Sequence, residues 1–252
     1  MKTLIAYRGP SVANPEVSLD LVISGLKRPS ANTKTGPMCQ ASIYLTDLSP
    51  YAAQKIGADV ATCNDCVLRP IVARKCRSCG HENRFGAKKC RSCGGELGAC
   101  YVSTIRGEGS KFKSSRALEP VDTQTAVEIM RGRKVRFGTY GNSSNIPRAV
   151  LEPILSVVRS HTLYEQQWLE PHAQWLRRWA MASVGSASDR REARSMGWRT
   201  FRRLYPGDRL GKREKLCLHV SRGLQCIDCH QCDGAKTSRH LSKPDYAIHS
   251  HR

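Results

Sequence analysis

The chain has 252 residues, and its 40% hydrophobic content excludes a disordered polypeptide and supports a sizeable core. Lys and Arg number 41 against 21 Asp and Glu, a formal charge of +20 that points to polyanionic partners, nucleic acid first among them. No apolar run reaches the ~20 residues of a membrane helix. Leu4, Ile5 and Ala6 before Tyr7 and Arg8 are too short for the apolar stretch of a secretory signal, so the expected location is the cytoplasm.

Residues 2–7 (KTLIAY) predict a strand closed by Gly9-Pro10. Residues 18–26 (SLDLVISGL) and 39–45 (CQASIYL) predict two more, paired as a β-hairpin around a polar, basic loop. Lys27, Arg28 and Lys34 in that loop are candidates for phosphate contact, and their plainer role is solvation. Cys39 reads as a small buried apolar residue. Ser49 caps a short helix with Pro50 at its first position.

Cysteine then takes over. The chain carries 12, and four CxxC pairs in a reducing compartment read as metal ligation rather than disulfides. Cys76, Cys79, Cys90 and Cys93 form two pairs, each followed by a glycine (Gly80, Gly94), in the pattern of a zinc ribbon. Two tight turns of this kind aim four thiolates at one tetrahedral Zn²⁺. The ribbon (71–97) reads as an insertion between Cys63 and Cys66 on one side and Cys100 on the other. Those three could share a metal or cluster with an open coordination site, or Cys100 could be structural.

From Val121 onward, strands and helices alternate. Helices are expected at 123–130, 147–158 and 171–178, and from Ser188 to Gly197. Strands are expected at 135–140, 162–164, 179–184 and 198–204. Pro153 is expected to kink its helix or restart it. Short connections in such an alternation argue for parallel strands. Chemistry in such folds sits at the carboxyl ends of the strands. Tyr140, Gly141, Asn142, Gln166, Gln167, Ser183 and Ser186 are therefore the expected pocket positions. The tail offers Cys217, then Cys226, Cys229 and Cys232, four thiolates suited to an iron–sulfur cluster or to zinc. His219, His230, His240, His249 and His251 are spare ligands or residues of an exposed basic tail.

In this order GLKRPSANTKTGPM, CNDCVLRP, CYV, VRFGTYGN, MASVGS, EARSMGWRTFR, the CxxCxxC tail and AIHSH resemble a group of uncharacterised, cysteine-rich proteins encoded by bacteriophages. The resemblance covers most of the chain and implies a host-cell cytoplasmic location, with no activity to carry over. The ribbon departs from the group's pattern. In outline the layout is similar to radical-SAM-type partial barrels, but the CxxxCxxC loop of that superfamily is absent.

The expected fold is thus α/β with a parallel-stranded, partial-barrel-like core. An N-terminal β-hairpin and first cysteine segment occupy residues 1–70, and the core with its cysteine-rich tail occupies residues 98–252. The expected function is metal binding: zinc in the ribbon, and a second metal or an iron–sulfur cluster on the other cysteines. The alternatives are an iron–sulfur enzyme with a radical-SAM-like barrel and a nucleic-acid-binding protein with structural zinc only. Walker A, HExxH, GxSxG and zinc-deaminase signatures are absent.

Overall fold

The computed structural model describes residues 1–28, 30, 32–66, 68–70, 75–76, 79–87, 89–95, 97, 100, 102–235 and 242–249. Strands β1 (Thr3–Pro10), β2 (Ser18–Ser24) and β3 (Cys39–Leu45) are antiparallel neighbours. Strands β4 (Lys134–Arg136) and β5 (Ser160–Thr162) extend that sheet with parallel pairing. A second sheet, ordered β6-β7-β8-β10-β9, is parallel throughout. Its strands are β6 (Tyr164–Glu165), β7 (Met181–Val184), β8 (Arg199–Leu204), β9 (Glu214–Leu216) and β10 (Asp245–His249). Leu163 separates β5 from β6, and its carbonyl accepts from the Met181 N–H at 2.9 Å. One run of chain therefore closes the first sheet and opens the second.

Among the described residues the α-helices are α1 (Pro50–Ile56), α2 (Val60–Cys63), α3 (Gly107–Ser115), α4 (Thr123–Met130), α5 (Arg148–Val157), α6 (Ala187–Ser195), α7 (Leu218–Arg222) and α8 (Cys226–Cys229). As expected, Ser49 caps α1 and Pro50 opens it. The Asp122 carboxylate accepts the Thr125 N–H at 2.9 Å and starts α4. Pro153 sits within α5, which runs through it. Helix α6 begins before Ser188, because Ser186 is the cap and forms a reciprocal capping box with Asp189. Residues Pro171–Arg178 are a 3₁₀ helix rather than an α-helix. Side chains three apart eclipse in that geometry, which turns Ala173 and Leu176 together into the core.

Alternation along the strands divides the sheet into two faces. One face presents Leu21, Ile43, Val135, Leu163 and Ala182 to α4, α5 and α6 in the main apolar core. Each fully buried Leu or Ile there contributes about 1.5–3 kcal/mol. Cys39 lies in this core, 7% exposed, as a small apolar residue. The opposite face carries Gln40, Ser42, Tyr44, Tyr164 and Phe201, and α3 lies over its first part. Glu108 of α3 accepts from Ser42 Oγ (2.6 Å), Tyr44 Oη (2.7 Å) and Lys111 Nζ (2.7 Å). Removing a partner from such a buried polar cluster costs about 3–5 kcal/mol. Glu108→Ala is accordingly expected to lower the denaturant midpoint sharply, with Glu108→Gln in between; equal midpoints would contradict this.

The expected strand 135–140 is regular only as far as Arg136. Gly138, at φ 63°, breaks the pleat, yet the Thr139 N–H still reaches Ala41 O and Tyr140 O still accepts from Ile43. Gly141 adopts φ 79° beside β3, and a Cβ there would stand 2.9 Å from Ile43 Cβ. Gly141→Ala is expected to cost about 1–3 kcal/mol in thermal or denaturant unfolding.

Candidate metal centres

The ribbon cysteines converge. The ligand atoms of Cys76, Cys79, Cys90 and Cys93 all lie within 4.8 Å of one another, so these four residues could hold a metal ion. The Cys76–Cys93 and Cys79–Cys90 sulfur pairs are each 3.6 Å apart. A tetrahedral ion with ~2.3 Å bonds to sulfur spaces its ligands by about 3.8 Å, which matches. Two like turns build the site. Gly80 N–H returns to Cys76 O at 2.8 Å and Gly94 N–H to Cys90 O at 2.9 Å, with the glycines at φ 73° and 71°. Only a residue free to adopt positive φ suits that position. Arg77, Ser78 and Lys88 lie outside the described residues.

Asn83 is the ribbon residue that spacing alone did not reveal. Its amide donates to Cys90 Sγ at 3.6 Å and to His81 O at 3.0 Å, while its oxygen accepts the Arg91 N–H at 2.8 Å. It thereby ties one turn to the other and orients the Cys90 sulfur, as residues behind a metal ligand do. The Cys93 N–H, then the Ser92 N–H and the Asn83 amide, lower the Cys90 thiol's pKa to about 6, while at Cys93 the Gly95 N–H is outweighed by the neighbouring Cys79 and Cys76 thiols, which raise it.

The tail builds the same turn a third time. His230 follows Cys229 as Gly80 follows Cys79, has φ 52°, and its N–H points to Cys226 O at 3.5 Å. A non-glycine residue in this region is strained, and such strain concentrates at functional sites. Cys217 is fixed through its N–H to Ala247 O at 2.8 Å, and Cys232 O accepts the Leu163 N–H at 3.1 Å at the junction of the two sheets. Burial, with Cys226, Cys217 and Cys229 as charged neighbours, pushes the Cys232 thiol up to about 12. The basic loop is the dock for this segment. Lys34 O and Thr35 O accept from Cys226 N and Ile227 N, each at 3.0 Å, and Thr33 O accepts from the Gln225 amide at 2.9 Å. Lys34 Nζ stands 5.7 Å from the Phe201 ring centre, whereas Lys27 and Arg28 are exposed.

Cys63, Cys66 and Cys100 form a third set. The Cys100 N–H bonds Leu68 O at 2.7 Å, which brings it beside the first CxxC pair, and Cys66 N–H returns to Cys63 O at 3.1 Å. The Asn142 amide clamps the segment by donating to Cys63 O (3.0 Å) and Asn64 Oδ1 (3.1 Å), and Asn145 donates to the same Asn64 oxygen at 2.9 Å. Asn64 itself holds φ 48°. Burial pushes the Cys63 thiol up to about 12 and the Cys100 thiol up to about 11, and each feels the charge of Cys66. Among the described residues, no three ligand atoms outside the ribbon lie within 4.8 Å of one another, so both further sets are more open than the ribbon.

The expected pocket positions divide. Tyr140 and Asn142 lie against the first CxxC pair, and Gln166 donates to Ser183 Oγ at 2.8 Å. The Gln167 N–H is held by the buried Glu165 carboxylate at 2.9 Å, and Ser186 caps α6. His219 and His230 flank the tail cysteines, His249 is an exposed residue of β10, and His240 and His251 lie outside the described residues. Among the described residues no helix is long and apolar enough to cross a membrane. Comparison with protein-family models, curated proteins and solved structures found no match to this chain.

Proposed function

We propose that this chain is a thiolate metalloprotein in which the ribbon holds Zn²⁺ and Cys217, Cys226, Cys229 and Cys232 hold a second centre of the iron–sulfur class. The observation that carries the reading is the turn repeated three times. The same backbone bond and the same left-handed residue follow Cys76–Cys79, Cys90–Cys93 and Cys226–Cys229. What supports two different metals is sulfur spacing. The ribbon sulfurs fit around one tetrahedral ion. The four tail sulfurs do not all lie within 4.8 Å of one another, which suits a cluster that interposes iron and sulfide between its thiolates. Thiols raised by burial are poor ligands until a cation neutralises them, so loading is expected to release protons.

The test is an anaerobic purification with zinc, iron and sulfide counted per chain. The reading expects zinc at one equivalent, with iron and acid-labile sulfide that fall in Cys226→Ser while zinc stays. Zinc alone, retained in Cys226→Ser, would sink the second centre.

A further inference from the structure

One end of the first sheet is basic. The register pairs Thr3 with Ser24, Ser24 with Gln40, Cys39 with Val135 and Lys134 with Ser160, so β1, β3, β4 and β5 begin, and β2 finishes, at the same end. Hydrogen bonds tie the flanking segments together there. The Leu26 N–H reaches Lys2 O at 3.3 Å, the Arg133 guanidinium reaches Leu26 O at 3.2 Å, and Arg133 O accepts the Arg159 N–H at 2.8 Å. Lys2, Lys27, Arg28, Arg131 and Arg159 stand exposed on these segments, and none of the five forms an ion pair among the described residues. Against them stand Glu128 of α4, which takes a bond from the Gln124 amide at 3.2 Å, and the exposed Asp228 of α8. A cavity of about 170 Å³ lies at this end, lined by Arg159, Ser160, His161, His230 and Asp233. Ser160 Oγ is buried without a hydrogen-bond partner among the described residues, a costly state for a hydroxyl. His161 is 3% exposed and its Nε2 donates to Trp179 O at 2.8 Å. Asp233 is paired with Arg199 at 3.4 Å, so the carboxylate in the lining is already met by a cation.

We propose that this end of the sheet binds nucleic acid, with one phosphate seated in the cavity at Arg159 and Ser160 and the neighbouring phosphates met by Lys2, Lys27, Arg28 and Arg131. The cavity is below the ~300–1,000 Å³ of pockets that enclose a whole small molecule, so it suits a single phosphoryl group. The Arg159 guanidinium offers the fork that matches phosphate oxygens, and the Ser160 hydroxyl gains the acceptor it lacks. Exposed cations continue on the segments beside the cavity, which one free phosphate would leave unused and a chain of phosphodiesters would not. Contacts of this kind position a strand without reading its sequence. The surface is built from strand ends and serves whichever metal the tail cysteines hold.

The test titrates the full chain into a fluorescently labelled single-stranded DNA oligonucleotide and follows anisotropy across a range of salt concentrations. Five phosphate contacts predict a log–log salt slope of about −3.5 in the wild type. Arg159→Gln is expected to weaken binding about 10-fold and to make the slope shallower by about 0.7. Ser160→Ala, which removes a hydroxyl and no charge, is expected to weaken binding about 5-fold with the slope unchanged. Arg191→Gln, an equal loss of charge on α6 against the second sheet, is expected to leave affinity within about 2-fold of the wild type. Equal losses in Arg159→Gln and Arg191→Gln would overturn the site in favour of diffuse charge. No binding of the oligonucleotide by the wild type would overturn the proposal outright and needs no variant to fold. Inorganic phosphate and vesicles of phosphatidylserine in phosphatidylcholine are titrated in parallel at fixed ionic strength. Binding of either one that is lost in Arg159→Gln, without binding of the oligonucleotide, would replace nucleic acid by a free oxyanion or a lipid headgroup and so contradict it.

Discussion

Cys76→Ser or Cys90→Ser is expected to cost the chain one zinc and to unfold the segment between residues 75 and 97 while the α/β core melts as before. Among its described residues the ribbon buries little apolar surface. Its buried cluster is Cys76, Cys90 and Leu97, with Ala87 against it. Two buried ligands, a leucine and an alanine do not offset the conformational entropy of some twenty ordered residues, at about 1–2 kcal/mol each for backbone alone. A bound metal would supply the difference, since structural zinc contributes on the order of 10–16 kcal/mol to folding. Outside the site, Phe85 meets Tyr51 with ring centres 6.5 Å apart, a contact of about 0.5–1.5 kcal/mol. Trypsin is therefore expected to cut at Arg84 or Arg91 in either variant, and to spare them in the zinc-loaded wild type. Full zinc content and intact resistance in Cys76→Ser would refute the ribbon as a metal-folded unit.

The second large effect is expected at Glu214. Its carboxylate accepts from Arg202 Nε at 3.0 Å and Nη2 at 2.7 Å, and from the Gly211 N–H at 2.8 Å. Both side chains of the pair are sealed, at 2% exposure for Arg202 and 0% for Glu214. Stripping one partner from such a pair costs about 3–5 kcal/mol, because the other charge stays buried alone. The loss reaches the candidate tail centre. Strands β9 and β10 form the edge of the second sheet, and Asp245 at the head of β10 is held by Arg190 at 2.7 Å and Arg194 at 3.3 Å. Cys217 hangs from β10 through its bond to Ala247. Glu214→Ala is thus expected to lower the melting temperature and to loosen the cysteine tail together.

The same carboxylate sets an acid limit. Burial alone would raise its pKa, but Arg202, then the Gly211 N–H, bring it below the ordinary glutamate value. A lowered pKa contributes stability that is complete above the unfolded value near ~4.3 and is lost as pH falls through the folded value. Acid unfolding is expected to set in below about pH 4, and Glu214→Gln to flatten that part of the stability profile.

Much of the α/β core was legible because its helices pack in order against one apolar face. The spacing of Leu151, Ile154 and Leu155 in α5 reads directly as a helix. Helix α3 was not legible, although its buried residues Glu108, Phe112 and Ser115 fall on one helical face. Only one of them is apolar, so no hydrophobic period marks the helix. Strand β10 was hidden for a different reason. Its buried run Tyr246–Ile248 is short and follows a basic stretch, and charge pairs at Asp245 help set it between β8 and β9. The convergence of Cys76, Cys79, Cys90 and Cys93 was plain from spacing, since a CxxC turn is local. Asn83 was not, because its role arises only when the two turns meet. For the same reason the tail was visible as a cysteine run, while its dock on the Lys34–Thr35 backbone was not.

The most direct test is X-ray absorption at the zinc edge of the purified full-length chain. Four sulfur neighbours at ~2.3 Å, reduced to fewer in Asn83→Ala or lost in Cys90→Ser, is the expected result. A zinc shell of nitrogen or oxygen, or sulfur coordination that survives Cys90→Ser, would contradict a metal held by Cys76, Cys79, Cys90 and Cys93.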